Sequence, residues 1–476
     1  MITADRMAAV DRNAAALGVP RKQLMESSGN AVAREVRDLA PGDATVVIVA
    51  GRGNNGGDAF VAARFLDDLD VAVHLLGRPE SISTDIAREN WDALREGEYD
   101  VRVVRDSRTL SLGDPDLIVD ALLGTGIAGA PREPEASAIR TINDDGATVL
   151  SVDVPSGIDA DTGEAAGVAV AADRVVTFHD GKPGLADLDA EVAIADIGIP
   201  AAAERFVGPG DLLALGRDPE SHKGDHGRVF VIGGGPYTGA PALSAQAALR
   251  AGADLAYVAA PGAVAETIQG YAEDLIVERY EGEHLAPRWV DPLLERARER
   301  DVVVLGPGLG DAPETREAVR AFLESYDGRA VIDADALAAV PEVETAATLV
   351  CTPHQGELAE MGGPTEEDWR ERAEAVEGFA ADLGHTMLVK GPYDVISDGA
   401  ETRVNRTGNP GMTVGGTGDV LAGVTGALLA TNGPLEAGAI AAYANGRAGD
   451  LVVGEYGNGL LASDLLDRLP GAMRDD

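Results

Sequence analysis

Short Val- and Ile-rich runs alternate with longer amphipathic Ala- and Leu-rich stretches from one end of the chain to the other. Continuous apolar runs occur at residues 45–50, 117–120, 149–154, 229–232, 302–305, 330–333 and 387–389. Strands of that kind, apolar on both faces and separated by helical stretches, predict parallel sheets covered by helices on each side. In such folds ligands collect beyond the carboxyl ends of the strands, and several of these runs lead straight into Gly, Asp or Asn. The alternation starts again after a Gly/Pro/Asp-rich segment. The expected fold class is therefore α/β, with two tandem three-layer domains. The first covers 1–205, a linker 206–222, and the second and larger 223–476.

Length agrees, since 476 residues exceed one ordinary core. Charge changes the picture more. The net charge is -41, from 39 basic and 80 acidic side chains, and the acidic excess runs along the whole chain. A surface of that sign repels phosphate backbones, which argues against nucleic acid as a partner. Lysine is confined to Lys22, Lys182, Lys223 and Lys390. Acid-rich, lysine-poor surfaces suit concentrated salt, where screening removes self-repulsion, so a halophilic protein is expected. No apolar run approaches the roughly 20 residues that span a bilayer, and the N-terminus lacks a secretion-signal pattern. Cys351 stands alone, which excludes an intrachain disulfide or a cysteine zinc site. A cytoplasmic, soluble protein is expected, with no membrane partner.

Three strand ends in the first domain carry polar residues beside glycines. The first is Gly51-Arg52-Gly53-Asn54-Asn55-Gly56-Gly57-Asp58, the second Asp120 followed by Gly124-Thr125-Gly126-Ile127-Ala128-Gly129-Ala130, and the third Asp153-Val154-Pro155-Ser156-Gly157. Glycines at a strand-to-helix turn let backbone N–H groups approach a phosphate, although a tight turn without ligand fits the same residues. Asn55, Asp120 and Ser156 offer hard oxygen ligands for a hard cation. Asp153, between apolar residues at a strand end, suits acid/base work. Turn or helix caps are the alternative for each aspartate.

These motifs, with 24–29 and 178–184, resemble the NAD(P)H-hydrate epimerase domain. That resemblance implies a Rossmann-like fold that interconverts the R and S forms of hydrated nicotinamide rings. It further implies a potassium ion on Asn55, Asp120 and Ser156. Asn54, Asn55, Gly56, Gly57, Asp58, residues 124 to 130 and Asp153 would contact substrate, with Asp153 catalytic. Ala59 departs from the glycine expected there, without removing a ligand.

The second domain has Gly233-Gly234-Gly235-Pro236-Tyr237-Thr238-Gly239-Ala240, Gly306-Pro307-Gly308, Thr352-Pro353-His354, Lys390-Gly391-Pro392-Tyr393-Asp394 and Gly415-Gly416-Thr417-Gly418-Asp419. The last offers unhindered N–H donors at a helix start, an anion hole for a transferring phosphoryl group. A carboxylate there, Asp419, suits deprotonation of a hydroxyl as phosphate arrives, while an ordinary first-turn acid is the alternative. No GxxxxGK[ST] occurs, which excludes a P-loop nucleotidase.

The Gly-Gly-Thr-Gly-Asp element resembles the ribokinase-like fold, and the fuller set is similar to the ADP- or ATP-dependent NAD(P)H-hydrate dehydratases. The resemblance implies that Ala240, Gly308, His354 and Asp419 contact the hydrate. Lys390, Gly391, Pro392, Tyr393, Asp394 and Gly418 would contact the adenine nucleotide. His354 also fits a satisfied loop histidine, and Cys351 fits the core.

The implied activity is repair of hydrated nicotinamide cofactors. R- and S-hydrates are epimerised, then the S-hydrate is dehydrated at the expense of ADP, giving AMP and phosphate, with Mg2+ on the donor. The expected partners are NADHX or NADPHX and ADP, in a homo-oligomer. The alternative is a ribokinase-like kinase of a small alcohol carrying a regulatory Rossmann-like domain. A scaffold role for the first domain and a dehydrogenase are weaker readings. For the dehydrogenase, the acidic ribose residue expected ~20 residues past the glycines coincides only loosely with Asp70.

Overall fold

The computed structural model describes every residue except Pro41, Ile127, Ala128, Asp475 and Asp476. It divides into two compact units, Met1–Ala203 and Glu204–Asp476.

In the first unit the strands are β1 (Thr45–Ala50), β2 (Asp70–Leu76), β3 (Asp100–Val104), β4 (Leu117–Ala121), β5 (Thr148–Val152), β6 (Arg174–Phe178) and β7 (Glu191–Ala195). Among the described residues they form one parallel sheet in the order β3-β2-β1-β4-β5-β6-β7. The helices are α1 (Ala4–Ala16), α2 (Arg21–Leu39), α3 (Asn54–Arg64), α4 (Asp85–Glu96), α5 (Glu135–Asn143) and the short α6 (Ala201–Arg205), whose last two residues already belong to the second unit. The central strands are apolar on both faces because helices cover both. Ile48, Val119, Leu150 and Val152 face a core with Phe60 and Trp91, while Val49 and Ile118 face Ile139 and Ile142. Strand order reverses between β1 and β4, which opens the crevice where Rossmann-like folds bind ligands.

In the second unit the strands are β8 (Arg228–Ile232), β9 (Leu255–Pro261), β10 (Ile276–Tyr280), β11 (Val302–Leu305), β12 (Arg329–Ile332), β13 (Thr348–Cys351), β14 (Thr386–Val389), β15 (Asp394–Ser397) and β16 (Thr402–Asn405). Their order is β10-β9-β8-β11-β12-β13-β14-β15-β16. The helices are α7 (Gly239–Arg250), α8 (Gly262–Gln269), α9 (Val290–Ala297), α10 (Pro313–Ser325), α11 (Gln355–Glu360), α12 (Trp369–Leu383), α13 (Thr417–Leu429), α14 (Pro434–Tyr456) and α15 (Ala462–Ala472). The reversal here lies between β8 and β11.

The expected parallel sheet holds only as far as β14; β15 and β16 are antiparallel. Their connections, residues 390–393 and 398–401, are too short for the crossover that parallel pairing needs. Residues 206–222, expected as a linker, fall in the second unit. Phe206 bridges to Val404, and Asp211 pairs with Arg403, both buried or half-buried. Glycine permits the closest helix contact: a Cβ on Gly423 of α13 would stand 2.0 Å from the Ser244 carbonyl oxygen of α7. Cys351 is a core residue, and burial pushes its thiol up to about 12. Among the described residues no helix is long and apolar enough to cross a membrane.

Candidate active sites

In the first unit the turn after β1 is compressed. A Cβ on Gly51 would lie 1.9 Å from the Leu122 carbonyl oxygen, and one on Gly56 would lie 2.2 Å from that of Gly51. These glycines therefore bring the start of α3 against the end of β4, at the reversal point of the sheet. Asn55 is carried there. Its amide nitrogen donates to the Leu123 carbonyl at 2.9 Å, and its Oδ1 is buried without a hydrogen-bond partner among the described residues.

Asp120, at the end of β4, is fully buried. Its carboxylate accepts from Ser156 Oγ at 2.6 Å, Ser151 Oγ at 2.8 Å, Ser156 N–H at 2.9 Å and Leu122 N–H at 3.3 Å. Burial pushes its carboxyl upward, against those hydrogen bonds. Asn55, Asp120 and Ser156 thus meet around the Leu123 carbonyl. They provide oxygens, one carboxylate and an orphaned amide oxygen, a donor set that fits a hard cation. Among the described residues no group of three His, Cys, Asp or Glu side chains is placed to hold a metal ion.

The two following loops join this centre. A cavity of about 90 Å³ is lined by Gly124 and Gly129 from one and by Gly157, Ile158 and Asp159 from the other. Thr125, Gly126 and Ala130 belong to the first loop but do not line it. Ile127 and Ala128 lie outside the described residues. Asn54 begins α3, and its Oδ1 accepts from Thr84 Oγ1 at 2.8 Å.

Asp153 follows β5 with a left-handed backbone, φ 66°, a conformation that costs an L-residue energy and gathers at functional sites. Its Oδ1 accepts from Thr177 Oγ1 at 3.2 Å and lies 3.4 Å from Lys182 Nζ. Lys182 is buried, 1% exposed, and Asp58 on α3 is buried as well. Burial first, then the charges of Asp153 and Asp11, push the Asp58 carboxyl well above its ordinary value. Asp11 on α1 is pushed up to about 6, chiefly by burial. Reading the sequence singled out Asp153 and Asp58 but not the roles of Lys182 and Asp11. The motif around Lys182 was visible; the only further signal was a lysine among so few.

In the second unit, Gly416 turns the chain into α13 with φ 101°. A Cβ there would lie 2.8 Å from Ala462 Cβ and 2.9 Å from Leu243 Cδ1. The result is a helix start with free N–H groups, and Asp419 sits in its first turn. Its carbonyl accepts from Ser244 Oγ of α7 at 2.8 Å, which ties the two helix starts together. Ala240 lies in the first turn of α7, and its Cβ would touch a Cβ on Gly308 at 3.3 Å. The two residues expected at the hydrate therefore adjoin each other, across the reversal between β8 and β11.

Lys390 ends β14 opposite α13. Its Nζ lies 3.1 Å from Asp333 Oδ1 and 3.7 Å from Glu357 Oε2, and a Cβ on Gly418 would be 3.3 Å from it. Burial alone would depress the ammonium, but Asp333 and Glu357, then Asp419, outweigh it and raise it above 10.5. Asp419 is pushed up to about 7, first by burial and then by Asp333, with Lys390 opposing. Asp333, which also accepts from Thr352 Oγ1 at 2.7 Å, and Glu357 were not singled out from sequence.

His354 pairs through its backbone with Lys390 and caps α11. Its Nδ1 accepts from the N–H groups of Gly356 and Glu357, at 2.9 and 3.1 Å. Gly391 and Asp394 close the loop between β14 and β15, with Gly391 N–H donating to Asp394 Oδ1 at 2.9 Å. Burial lifts the Asp394 carboxyl to about 6. Tyr393 stacks on Trp369, centroids 5.2 Å apart, and Trp369 leans on Phe206 at 5.6 Å. Pro392 is exposed at the loop tip. Lys223 is exposed ahead of β8, at the opposite end of the strands from Lys390.

Comparison with known proteins bears on both units. Residues 229–471 match the family model described as NAD(P)H-hydrate dehydratase, and residues 21–184 match the model described as YjeF-related protein N-terminus. The chain is 45% identical over 489 residues to a bifunctional NAD(P)H-hydrate repair enzyme of Methanothermobacter thermautotrophicus, covering 98% of this chain and 94% of that protein. It is 46% identical over 493 residues to one of Pyrobaculum aerophilum, covering 99% and 98%. A ribokinase-like superfamily protein from Enterococcus faecalis superposes with a TM-score of 0.50 at 26% identity, over 56% of this chain and 95% of that one.

Proposed function

The chain belongs to the family of bifunctional NAD(P)H-hydrate repair enzymes, and from that premise we propose how its two units divide the work. Water added to a reduced nicotinamide ring leaves a hydroxyl on ring carbon 6. The first unit epimerises that carbon, with Asp153 as its acid/base. The second unit removes the water from the S form. Asp419 takes the hydroxyl proton while the terminal phosphoryl group of ADP is transferred, and phosphate, a far better leaving group than hydroxide, then departs.

The observation that carries this reading is the placement of Asp419. It combines a proton affinity near neutrality with a position in the first turn of a helix whose free N–H groups face the same place as Lys390. A base poised near working pH takes a proton most effectively, and N–H groups with an ammonium stabilise charge on a moving phosphoryl group. Lys390 to Asp394 and Gly418 hold the nucleotide, with Tyr393 and the rings behind it as an apolar wall. Ala240, Gly308 and His354 face the hydrate.

Two ions belong to this reading. Asn55, Asp120 and Ser156 would hold potassium, which would neutralise the buried Asp120 carboxylate. Magnesium brought in with the donor would neutralise charge on its phosphates. The protein works in the cytoplasm of a halophile as a homo-oligomer.

The test is conversion of an equal mixture of R- and S-hydrate by the full chain with ADP in molar KCl. The proposal expects complete return of the reduced-nicotinamide absorbance in one phase or two fast ones. Asp153→Ala is expected to stop near half, with the remainder creeping at the uncatalysed rate. Full fast conversion by that variant refutes the epimerase assignment.

A further inference from the structure

We propose that Asp333 is a positioning residue of the dehydratase site, fixed by Thr352 and in turn holding the Lys390 ammonium over the start of α13, where it meets the phosphates of the donor. This rests on the dehydratase reading above and adds two buried residues to it.

Three neighbouring strand ends build the arrangement. Asp333 follows β12, Thr352 follows β13 and Lys390 follows β14. Backbone bonds keep them in step: Thr352 N–H donates to the Ile332 carbonyl at 3.0 Å, and Lys390 N–H to the Pro353 carbonyl at 2.8 Å. Asp333 is also gripped by the end of β11. Its N–H donates to the Leu305 carbonyl at 3.0 Å, and a Cβ on Gly306 would fall 1.7 Å from its carbonyl oxygen. Only glycine lets the two strand ends close that far.

The side chains converge on one oxygen. Asp333 Oδ1 accepts from Thr352 Oγ1 at 2.7 Å and from Lys390 Nζ at 3.1 Å. Asp333 is 2% exposed and Thr352 is fully buried, so both act through Lys390 rather than on a ligand. Lys390 itself reaches the site, since a Cβ on Gly418 would stand 3.3 Å from its Nζ. The second acid beside it is a weaker hold. Glu357 Oε2 lies 3.7 Å away, and that oxygen already accepts from the His354 N–H at 2.7 Å in the capping box of α11. Lysine carries its charge on a long flexible stem. A charge-assisted bond to a fixed acceptor restricts that stem before ADP arrives, and so lowers the cost of binding. An ammonium has three N–H donors; Asp333 takes one and leaves others for phosphate oxygens.

The same carboxylate leaves a signature in the rate profile. Asp419 is raised first by burial and then by Asp333, with Asp335 and Glu357 adding to it and Lys390 opposing. Losing the Asp333 charge therefore lowers the proton affinity of Asp419, whereas losing Lys390 raises it. A defect of packing alone does neither.

The experiment measures ADP binding by equilibrium dialysis and dehydration of S-hydrate across pH, with the full chain in molar KCl. Asp333→Ala is expected to weaken ADP binding about tenfold or more. Asp333→Asn keeps an oxygen for both donors; it should recover part of that affinity, while its acid limb moves to lower pH. Thr352→Val keeps the shape and loses the hydroxyl, and should weaken ADP binding about threefold or more. Thr352→Ser should restore it. If Asp333→Asn leaves the acid limb in place, or if Asp333→Ala and Thr352→Val bind ADP as the wild type does, the positioning role is overturned while the dehydratase reading stands. If the wild type binds no ADP, the dehydratase reading falls and takes this role with it.

Discussion

Replacing Asp419 with Asn should abolish dehydration and at the same time stabilise the second unit, and the two effects have one origin. The carboxyl is lifted from its ordinary 3.8 to about 7, first by burial, then by Asp333, with smaller contributions from Asp335 and Glu357 and with Lys390 pulling the other way. As a base it is about one-tenth ionised at pH 6 and about nine-tenths at pH 8, so a rate limited by it rises roughly tenfold between them. Asn cannot accept the proton, and loss of a general base costs about 10²- to 10⁴-fold.

For stability the sign is reversed from that of a salt-bridged acid. The folded state holds the proton more tightly than the unfolded one between pH 3.8 and about 7, so stability falls as pH rises through that window. At about 1.36 kcal/mol per unit the loss has an upper limit near 4 kcal/mol, reduced by the water that reaches this partly exposed group. Asn carries no such cost. The variant should match wild type at pH 3 and melt higher at pH 8. The assay pairs nicotinamide absorbance with thermal melts at both pH values in molar KCl. A variant that retains the rate, or that melts lower at pH 8, refutes the reasoning.

Other outcomes follow from the same geometry. Lys390→Met leaves Asp333 and Glu357 uncompensated; the apparent KM for ADP should rise about tenfold or more, and the pH–rate profile should move upward. Gly423→Ala drives a methyl to 2.0 Å from the Ser244 carbonyl and should cost about 1–3 kcal/mol or more by denaturant melts in high salt. Epimerisation should be faster in KCl than in LiCl at equal ionic strength, and Asn55→Ala should remove that difference. With a net charge of -41, the melting temperature should climb with salt as the Debye length shrinks from about 10 Å at 0.1 M to about 3 Å at 1 M; a flat response would remove the salt argument.

What the sequence disclosed, and what it did not, follows from the range of the interactions. The glycine-rich stretches after β1, β4, β8, β11 and β16 betray close backbone approach locally, and so the two α/β units and their strand ends were legible. The antiparallel β15 and β16 were not, because apolar runs look alike in either direction and only the short connections decide. The charge partners were harder still. Asp333 stands 57 residues before Lys390, and Asp11 reaches the first site from the opening helix. A single acid at a strand end has no glycine context to mark it. Even His354, whose backbone pairs with Lys390, shows a helix-capping role that sequence cannot separate from a substrate contact.

The most direct measurement of the central claim is a product balance. Pure S-hydrate and ADP are incubated with the full chain in molar salt, and nicotinamide, AMP and phosphate are counted together. The account requires one reduced nicotinamide, one AMP and one phosphate for each hydrate consumed. A stable phosphorylated alcohol in place of free phosphate, or nicotinamide restored without ADP, would contradict it.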